Sequence, residues 1–308
     1  MNGTLHADRR SLARELSRIA DASVAQSIAQ LRAAHGPAAR RIGVTGPPGA
    51  GKSTLIGHLA QLRCAMHAPL AILAIDPTSP ENRGSLLGDR IRMDARLADT
   101  DVYIRSLPSG RATGGLSDNV ADVLAALDAH GFAEVWLETV GVGQAEYSAR
   151  TLVDTLVLVL NPGSGDQIQA MKAGILETAD IVVVNKADQP GAQRVAVELR
   201  SVLQRRAGRR GGPSGVDLTA CRGPAVLLTA ANDAASLAAL SAELDERLAQ
   251  PIAAAEVARR QRAREVFHAQ ALLHRRIDEL VAQAADDAMP DGVAGLYEWL
   301  AQKLVETA

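Results

Sequence analysis

The sequence predicts an α/β fold, a doubly wound and mostly parallel sheet flanked by helices, and three observations predict it. Seven short apolar runs rich in Val, Ile and Leu punctuate the middle of the chain. Runs of that kind read as strands buried on both faces. Helical patterns fill most of the intervals, as parallel neighbours require for their crossovers. A glycine-rich loop, Gly46-Pro47-Pro48-Gly49-Ala50-Gly51-Lys52-Ser53-Thr54, sits between the first apolar run and a helical pattern. That context separates a phosphate-binding loop from a chance match. The class is therefore a P-loop NTPase with helical extensions at both ends.

In chain order, residues 11–32 read as an amphipathic helix with Leu12, Leu16, Ile19, Val24, Ile28 and Leu31 on a rough stripe. The strands follow at Ile42–Thr45, Leu70–Ile75, Val102–Leu107, Val135–Leu137, Leu156–Leu160, Ile181–Val184 and Val226–Leu228. Residues 205–224 are rich in Arg, Gly and Pro and read as a mobile loop. Its Arg205, Arg206, Arg209 and Arg210 suit a solvated helix end, or contact with an acidic partner. From Ala234 the pattern is helical to the end, with one long helix over 252–285 and Tyr297, Trp299 and Leu300 on a short last one. The division this predicts is an N-terminal helical extension over 1–38, a nucleotide-binding domain over 39–250, and a C-terminal helical extension over 251–308. The last segment serves dimerisation or docking, or else packs back on the core.

Composition sets outer bounds. With 308 residues, 47% hydrophobic and 22% charged, the chain is long enough for one large α/β domain plus extra helices. A formal charge of −2 argues against a nucleic-acid partner. Cys64 and Cys221 are far apart and outside any metal-ligand spacing, so both read as ordinary thiols in a reducing compartment. No apolar run approaches the roughly 20 residues that span a bilayer, and the N-terminus has no signal-peptide core. Asp8 and Glu15 count against a transit peptide. The expectation is a cytoplasmic chain with no membrane contact.

The loop carries the first chemical prediction. Its glycines let successive backbone N–H groups close around phosphates, and the following helix adds a positive dipole end. All residues from Gly46 to Thr54 are candidate nucleotide contacts. Lys52 would reach the β- and γ-phosphates, and Ser53 would offer its hydroxyl to Mg²⁺. Asn185-Lys186-Ala187-Asp188, closing the run Ile181–Val184, selects the base. The Asp188 carboxylate accepts from guanine N1–H and the exocyclic amine, whereas adenine offers no such donor pair. Asn185 would brace the loops and the Lys186 stem would lie along the purine ring. The backbone of Thr229, Ala230 and Ala231, after the last strand, is placed to meet guanine O6. The expected ligands are GTP and GDP with Mg²⁺.

The residues that would do chemistry lie between these motifs. Asp76, at the end of the second run, would orient the attacking water or hold Mg²⁺ through a water, or else cap the turn. Asp89 would be a second metal-shell carboxylate or a helix N-cap. Glu138 stands where many GTPases carry the aspartate of Asp-x-x-Gly, and Gly141 would sense the γ-phosphate. Val142 follows that glycine where Ras-like proteins place the water-positioning glutamine; Gln144 comes two residues later. Slow intrinsic hydrolysis is therefore expected, accelerated by a partner or by one of Arg83, Arg90, Arg92 and Arg111.

Together Gly46–Thr54, Ile75-Asp76-Pro77, Gly88-Asp89, Glu138-Thr139-Val140-Gly141-Val142-Gly143-Gln144, Pro162–Asp166, Lys172–Ile175 and Asn185–Asp188 resemble the MeaB/ArgK branch of the G3E GTPases over roughly residues 10–250. The resemblance implies a G-protein chaperone that uses GTP to gate cofactor loading, and removal of damaged cofactor, in an adenosylcobalamin-dependent acyl-CoA mutase. It implies a homodimer, Mg²⁺, no cobalamin held by the chain itself, and a third switch at about Gly163–Glu177. Asp166, Gln167 and Lys172 would then couple to the partner. Glu81-Asn82-Arg83, Arg111 and the Arg/Gly stretch near 207 depart from a typical member, which leaves the mutase open among methylmalonyl-, isobutyryl- and 2-hydroxyisobutyryl-CoA enzymes. Two other readings of the same loop are a metabolic kinase, which has no reason to carry the guanine clamp, and a nickel-insertion GTPase. The second would carry a His-rich tract, whereas the 7 histidines here are scattered. A module that holds GTP without hydrolysing it is a third, against which Asp76, Asp89 and Glu138 argue.

Overall fold

A computed structural model describes residues 4–33, 38–76, 97, 100–109, 116–139, 144–164, 175–209, 223–284 and 289–306. All seven apolar runs are strands: β1 (Arg40–Thr45), β2 (Leu70–Asp76), β3 (Val102–Pro108), β4 (Glu134–Thr139), β5 (Thr155–Leu160), β6 (Ile181–Asn185) and β7 (Ala225–Thr229). They form one sheet in the order β3-β2-β4-β1-β5-β6-β7. Every neighbouring pair is parallel. β1 is thus central, with β4 and β5 on either side, and every strand ends at one common edge.

Both faces of the sheet are covered, which explains the near-continuous apolar strands. Ile42, Val44, Ile72 and Trp136 face α3 (Lys52–His67) and α8 (Ala234–Ala249) through Leu55, Ile56, Leu59, Leu240 and Leu244. On the opposite face Leu73, Leu137 and Leu156 meet α1 (Thr4–Ala20), α4 (Val120–Ala129) and α5 (Gln144–Leu152). Further along that sheet, Leu158, Leu160, Val182 and Val184 pack on Val195, Ala196 and Leu199 of α7 (Ala192–Arg209). Period-two alternation within each strand divides its side chains between these layers. A short helix, α6 (Ile175–Thr178), precedes β6.

Two expectations need correction. The helix read over 11–32 is two helices, α1 and α2 (Val24–Ala33). The break is a capping box: Gln26 N–H donates to Ser23 Oγ at 3.4 Å, and Ser23 N–H donates to Gln26 Oε1 at 2.9 Å. The register therefore shifts, so α2 buries Ser27 while Ile28 is 38% exposed. The Arg- and Gly-rich stretch begins as helix, because α7 continues to Arg209; residues 210–222 lie outside the described set.

At the C-terminal end α9 (Ala254–Gln283) and α10 (Gly292–Glu306) match the long helix and the short last one. α9 packs back on the sheet's helical layer through Phe267 and through polar groups. Arg264 Nη2 donates to Asp154 Oδ1 at 2.6 Å, and Arg275 and His268 both meet Asp122. Among the described residues no helix is long and apolar enough to cross a membrane. Cys64 sits half-buried on α3, where burial pushes its thiol up; Cys221 lies outside the described residues.

Candidate functional site

The glycine-rich loop leaves the centre of the sheet at the carboxyl end of β1. Gly46 has φ 139°, and a Cβ there would stand 2.0 Å from the Val159 carbonyl oxygen on β5. Only glycine fits so close to a neighbouring strand. Gly51, with φ 87°, forms the N-cap of α3, and a Cβ on it would meet Asn185 Nδ2 at 2.6 Å. The first turn of α3 holds no acidic residue, so its positive end is left for an anion.

Lys52 is buried and folds its ammonium into the loop, donating to Gly46 O at 2.8 Å and Pro47 O at 3.1 Å. Those carbonyls hold the charge where phosphate oxygens are able to replace them. Ser53 Oγ donates to Glu138 Oε1 at 2.6 Å, across the β1–β4 pair where Val44 stands beside Glu138. Glu138 is 3% exposed. Asp76 ends β2 one step beyond Ile75, which pairs with Thr139, so its backbone reaches the same edge. The sheet thus brings Lys52, Ser53 and Glu138 together and aligns the Asp76 position beside them.

The donor set fits a divalent cation. A hydroxyl and a carboxylate converge at hydrogen-bond distance, which is the hard oxygen pair Mg²⁺ takes alongside phosphate. The hydroxyls of Thr45 and Thr139, at the ends of the same two strands, are buried and have no hydrogen-bond partner among the described residues. Orphaned oxygens at this edge suit a ligand or its waters. Ser53 and Glu138 are the side chains here able to hold the ion, with Asp76 adjacent in sequence position; Asp89 lies outside the described residues, as do Gly141, Arg83, Arg90, Arg92, Arg111, Asp166, Gln167 and Lys172.

The second loop lies against the first. Asn185 Nδ2 donates to Ala50 O at 2.9 Å, while Asn185 Oδ1 accepts from Thr229 Oγ1 at 3.0 Å. Lys186 has φ 55°, a left-handed turn that a non-glycine residue adopts only when its surroundings hold it. Its Nζ donates to Gly49 O at 2.9 Å, which anchors the head and leaves the stem as the surface expected under the purine. Ala187 N–H donates to Thr229 O at 2.9 Å, tying the β6 and β7 loops. Asp188 is exposed at the turn, free of the core. Of the expected O6 contacts, Ala230 N–H donates to Ser236 Oγ at 3.2 Å, whereas Ala231 is exposed.

The Thr229 side chain is a contribution that sequence reading missed, since only its backbone was assigned. A threonine closing the strand before Ala230-Ala231 was the available signal. Among the described residues one group of metal-ligating types comes together elsewhere, His67, Glu134 and Asp245. The Arg63 guanidinium fills it, donating to Glu134 Oε2 at 3.0 Å and Asp245 Oδ1 at 2.8 Å. A cation already holds that position.

A family model described as Methylmalonyl Co-A mutase-associated GTPase MeaB matches residues 12–286. A putative GTPase of Pyrococcus abyssi is 48% identical over 162 residues, covering 53% of this chain and 50% of its own. The mouse methylmalonic aciduria type A homolog, mitochondrial, is 39% identical over 178 residues, 57% of this chain and 43% of its own. GTPase ArgK of Escherichia coli is 39% identical over 157 residues, covering 51% and 47%. The chain spans about half the length of the curated relatives it matches. In fold it resembles a solved LAO/AO transport system kinase, with TM-score 0.55 at 21% identity over 96% of this chain and 98% of that one.

Proposed function

The chain belongs to the MeaB family of methylmalonyl-CoA mutase-associated GTPases, and on that premise we propose that it binds and hydrolyses GTP to drive a switch acting on an adenosylcobalamin-dependent acyl-CoA mutase. The observation that carries the reading is Asn185, whose side chain joins the phosphate loop at Ala50 to the base-reading loop through Thr229. A site so coupled reads phosphate and base as one ligand.

On GTP binding, Lys52 leaves the Gly46 and Pro47 carbonyls for the β- and γ-phosphates. Ser53 releases Glu138, and both oxygens become available to the metal side of the triphosphate. Mg²⁺, when bound, neutralises charge developing on the phosphate oxygens. Asp188 accepts from the guanine edge, and Gly141 senses the γ-phosphate. Asp76 or Asp89 orients water. Loss of the γ-phosphate returns Lys52 to its loop and relaxes the switches toward the partner. The chain acts as a homodimer in the cytoplasm, turns over slowly alone, and holds no cobalamin.

Lys52→Ala should abolish nucleotide turnover. Asp188→Asn should weaken GTP strongly, and tight GTP binding by that variant would remove the clamp assignment. The central test is GTP hydrolysis by the purified chain, alone and with each candidate mutase, with ATP as control. Acceleration by one mutase supports the reading and identifies the partner; equal rates with all of them direct the switch to another client.

A further inference from the structure

We propose that the cleft between the amino edge of the sheet and α9 binds a small organic oxyanion, a phosphate ester or a carboxylate with a short apolar body. The cleft encloses about 450 Å³, within the range of small-molecule sites. Arg41, second residue of β1, enters it from the sheet, and Arg260, Arg264 and His268 enter from α9. The four-residue spacing of the last three places them on one helix face.

Both carboxylates lining the cleft already have partners. Asp154 accepts the Arg41 backbone N–H at 2.8 Å and Arg264 Nη2 at 2.6 Å. Glu265 accepts from Gln261 at 3.2 Å and Arg262 at 3.5 Å. Of the other basic groups, His268 is hydrogen-bonded to Asp122, Arg260 gives Nε to Glu256, and Arg41 gives Nη2 to Asp128. Arg264 Nε also donates to Thr151 O at 3.4 Å and Arg260 Nη1 to Asp154 O at 3.5 Å. Each guanidinium has five N–H donors, so donors are left over.

Arg41 Nε makes the imbalance concrete. Arg41 is 9% exposed, and its Nε is buried with no acceptor among the described residues. Buried N–H groups are rarely left unpaired. Carboxylate and phosphate oxygens suit the arginine fork, which takes them two at a time. Leu152, Ile252 and Val257 supply apolar wall for the rest of such a molecule. Arg41 lies near the start of β1 and Gly46 just past its end, about 16 Å apart at strand rise, so this site and the nucleotide loop are separate.

The test uses the full chain saturated with a non-hydrolysable GTP analogue and Mg²⁺, so that the β- and γ-phosphate positions of the loop are both filled. It is titrated calorimetrically with inorganic phosphate and, separately, with succinate. The expected result is saturable binding of one probe molecule per chain, weakened at least tenfold in Arg41→Gln and in Arg260→Gln. Phosphate alone assigns the phosphate-ester class, succinate alone the carboxylate class, and both together the shared oxyanion chemistry. Arg41→Lys, which keeps the charge without the fork, should weaken binding as well. Arg260 is half-buried on a helix surface, so its variant serves if Arg41→Gln does not fold. Binding of neither probe overturns the proposal. So does binding that the variants retain, because the anion then sits elsewhere.

Discussion

Asn185 holds hydrogen bonds to two different loops, and its replacement separates what each contributes. Asn185→Ala leaves the Ala50 carbonyl and the Thr229 hydroxyl without their partner in a buried setting. The expected cost is about 1–3 kcal/mol of stability, measured by denaturant unfolding. GDP affinity should fall at least about tenfold, equivalent to about 1.4 kcal/mol, because both loops lose their common brace. An unfolding midpoint and GDP affinity equal to those of the parent chain would show that the bridge is incidental. This residue was legible beforehand, since its motif fixes its place after an apolar strand. Thr229 was legible only as backbone, because a lone threonine at a strand end does not announce a side-chain partner 44 residues away. Lys186 shows the same limit: its type was readable, but its head reaches Gly49 through a left-handed turn that only tertiary contacts specify.

At the level of elements, α9 is attached in an unusual way. The helix is 30 residues long, yet Leu280 is its one buried residue. Phe267 packs on the core, and much of the remaining attachment falls to polar contacts that converge on Asp122 and Asp154. Burial alone would push the Asp122 carboxyl up, but hydrogen bonds and charge from His268 and Arg275 hold it below the usual carboxylate range. A carboxylate with a depressed folded-state value stabilises the fold fully above its unfolded value, about 3.9. That contribution is lost as pH falls through the lower folded-state value. Asp122→Asn should therefore cost about 3 kcal/mol near neutrality, the low end for a broken buried ion pair because Arg275 and His268 are partly exposed. The difference from the parent chain should shrink toward acid pH. Hydrogen exchange would show faster opening over 254–283 with the β1 and β5 amides unchanged; uniform opening of the whole chain would contradict a separable helix. The sequence made the length of α9 readable through its helical pattern. Its docking was not readable, because Asp122 lies 146 residues from His268. The break between α1 and α2 had a local signal in Ser23-Val24-Ala25-Gln26, a capping box masked by the apolar stripe that runs across it.

The whole molecule gathers its candidate chemistry at one edge because β1 is central and every strand runs the same way. A parallel sheet of this kind opens a crevice where connections leave in opposite directions, and ligands collect there. That logic made the nucleotide edge readable from strand and loop order alone. The opposite end of the chain follows no such rule. On α10, Val293, Tyr297 and Val305 are 89%, 72% and 81% exposed, and they recur at multiples of four residues along one face. Trp299 and Leu300 are only half-buried. An apolar face of that kind rarely stays open to water, and a second copy of the chain is the partner we propose for it. Replacing both Tyr297 and Val305 with Glu adds charge to this face without touching the sheet. The double variant should run as a monomer in light scattering at concentrations where the parent chain is a dimer, with GDP affinity unchanged because the nucleotide edge keeps all its contacts. A parent chain that is monomeric throughout would remove the dimer. A double variant that stays dimeric would move the interface off α10.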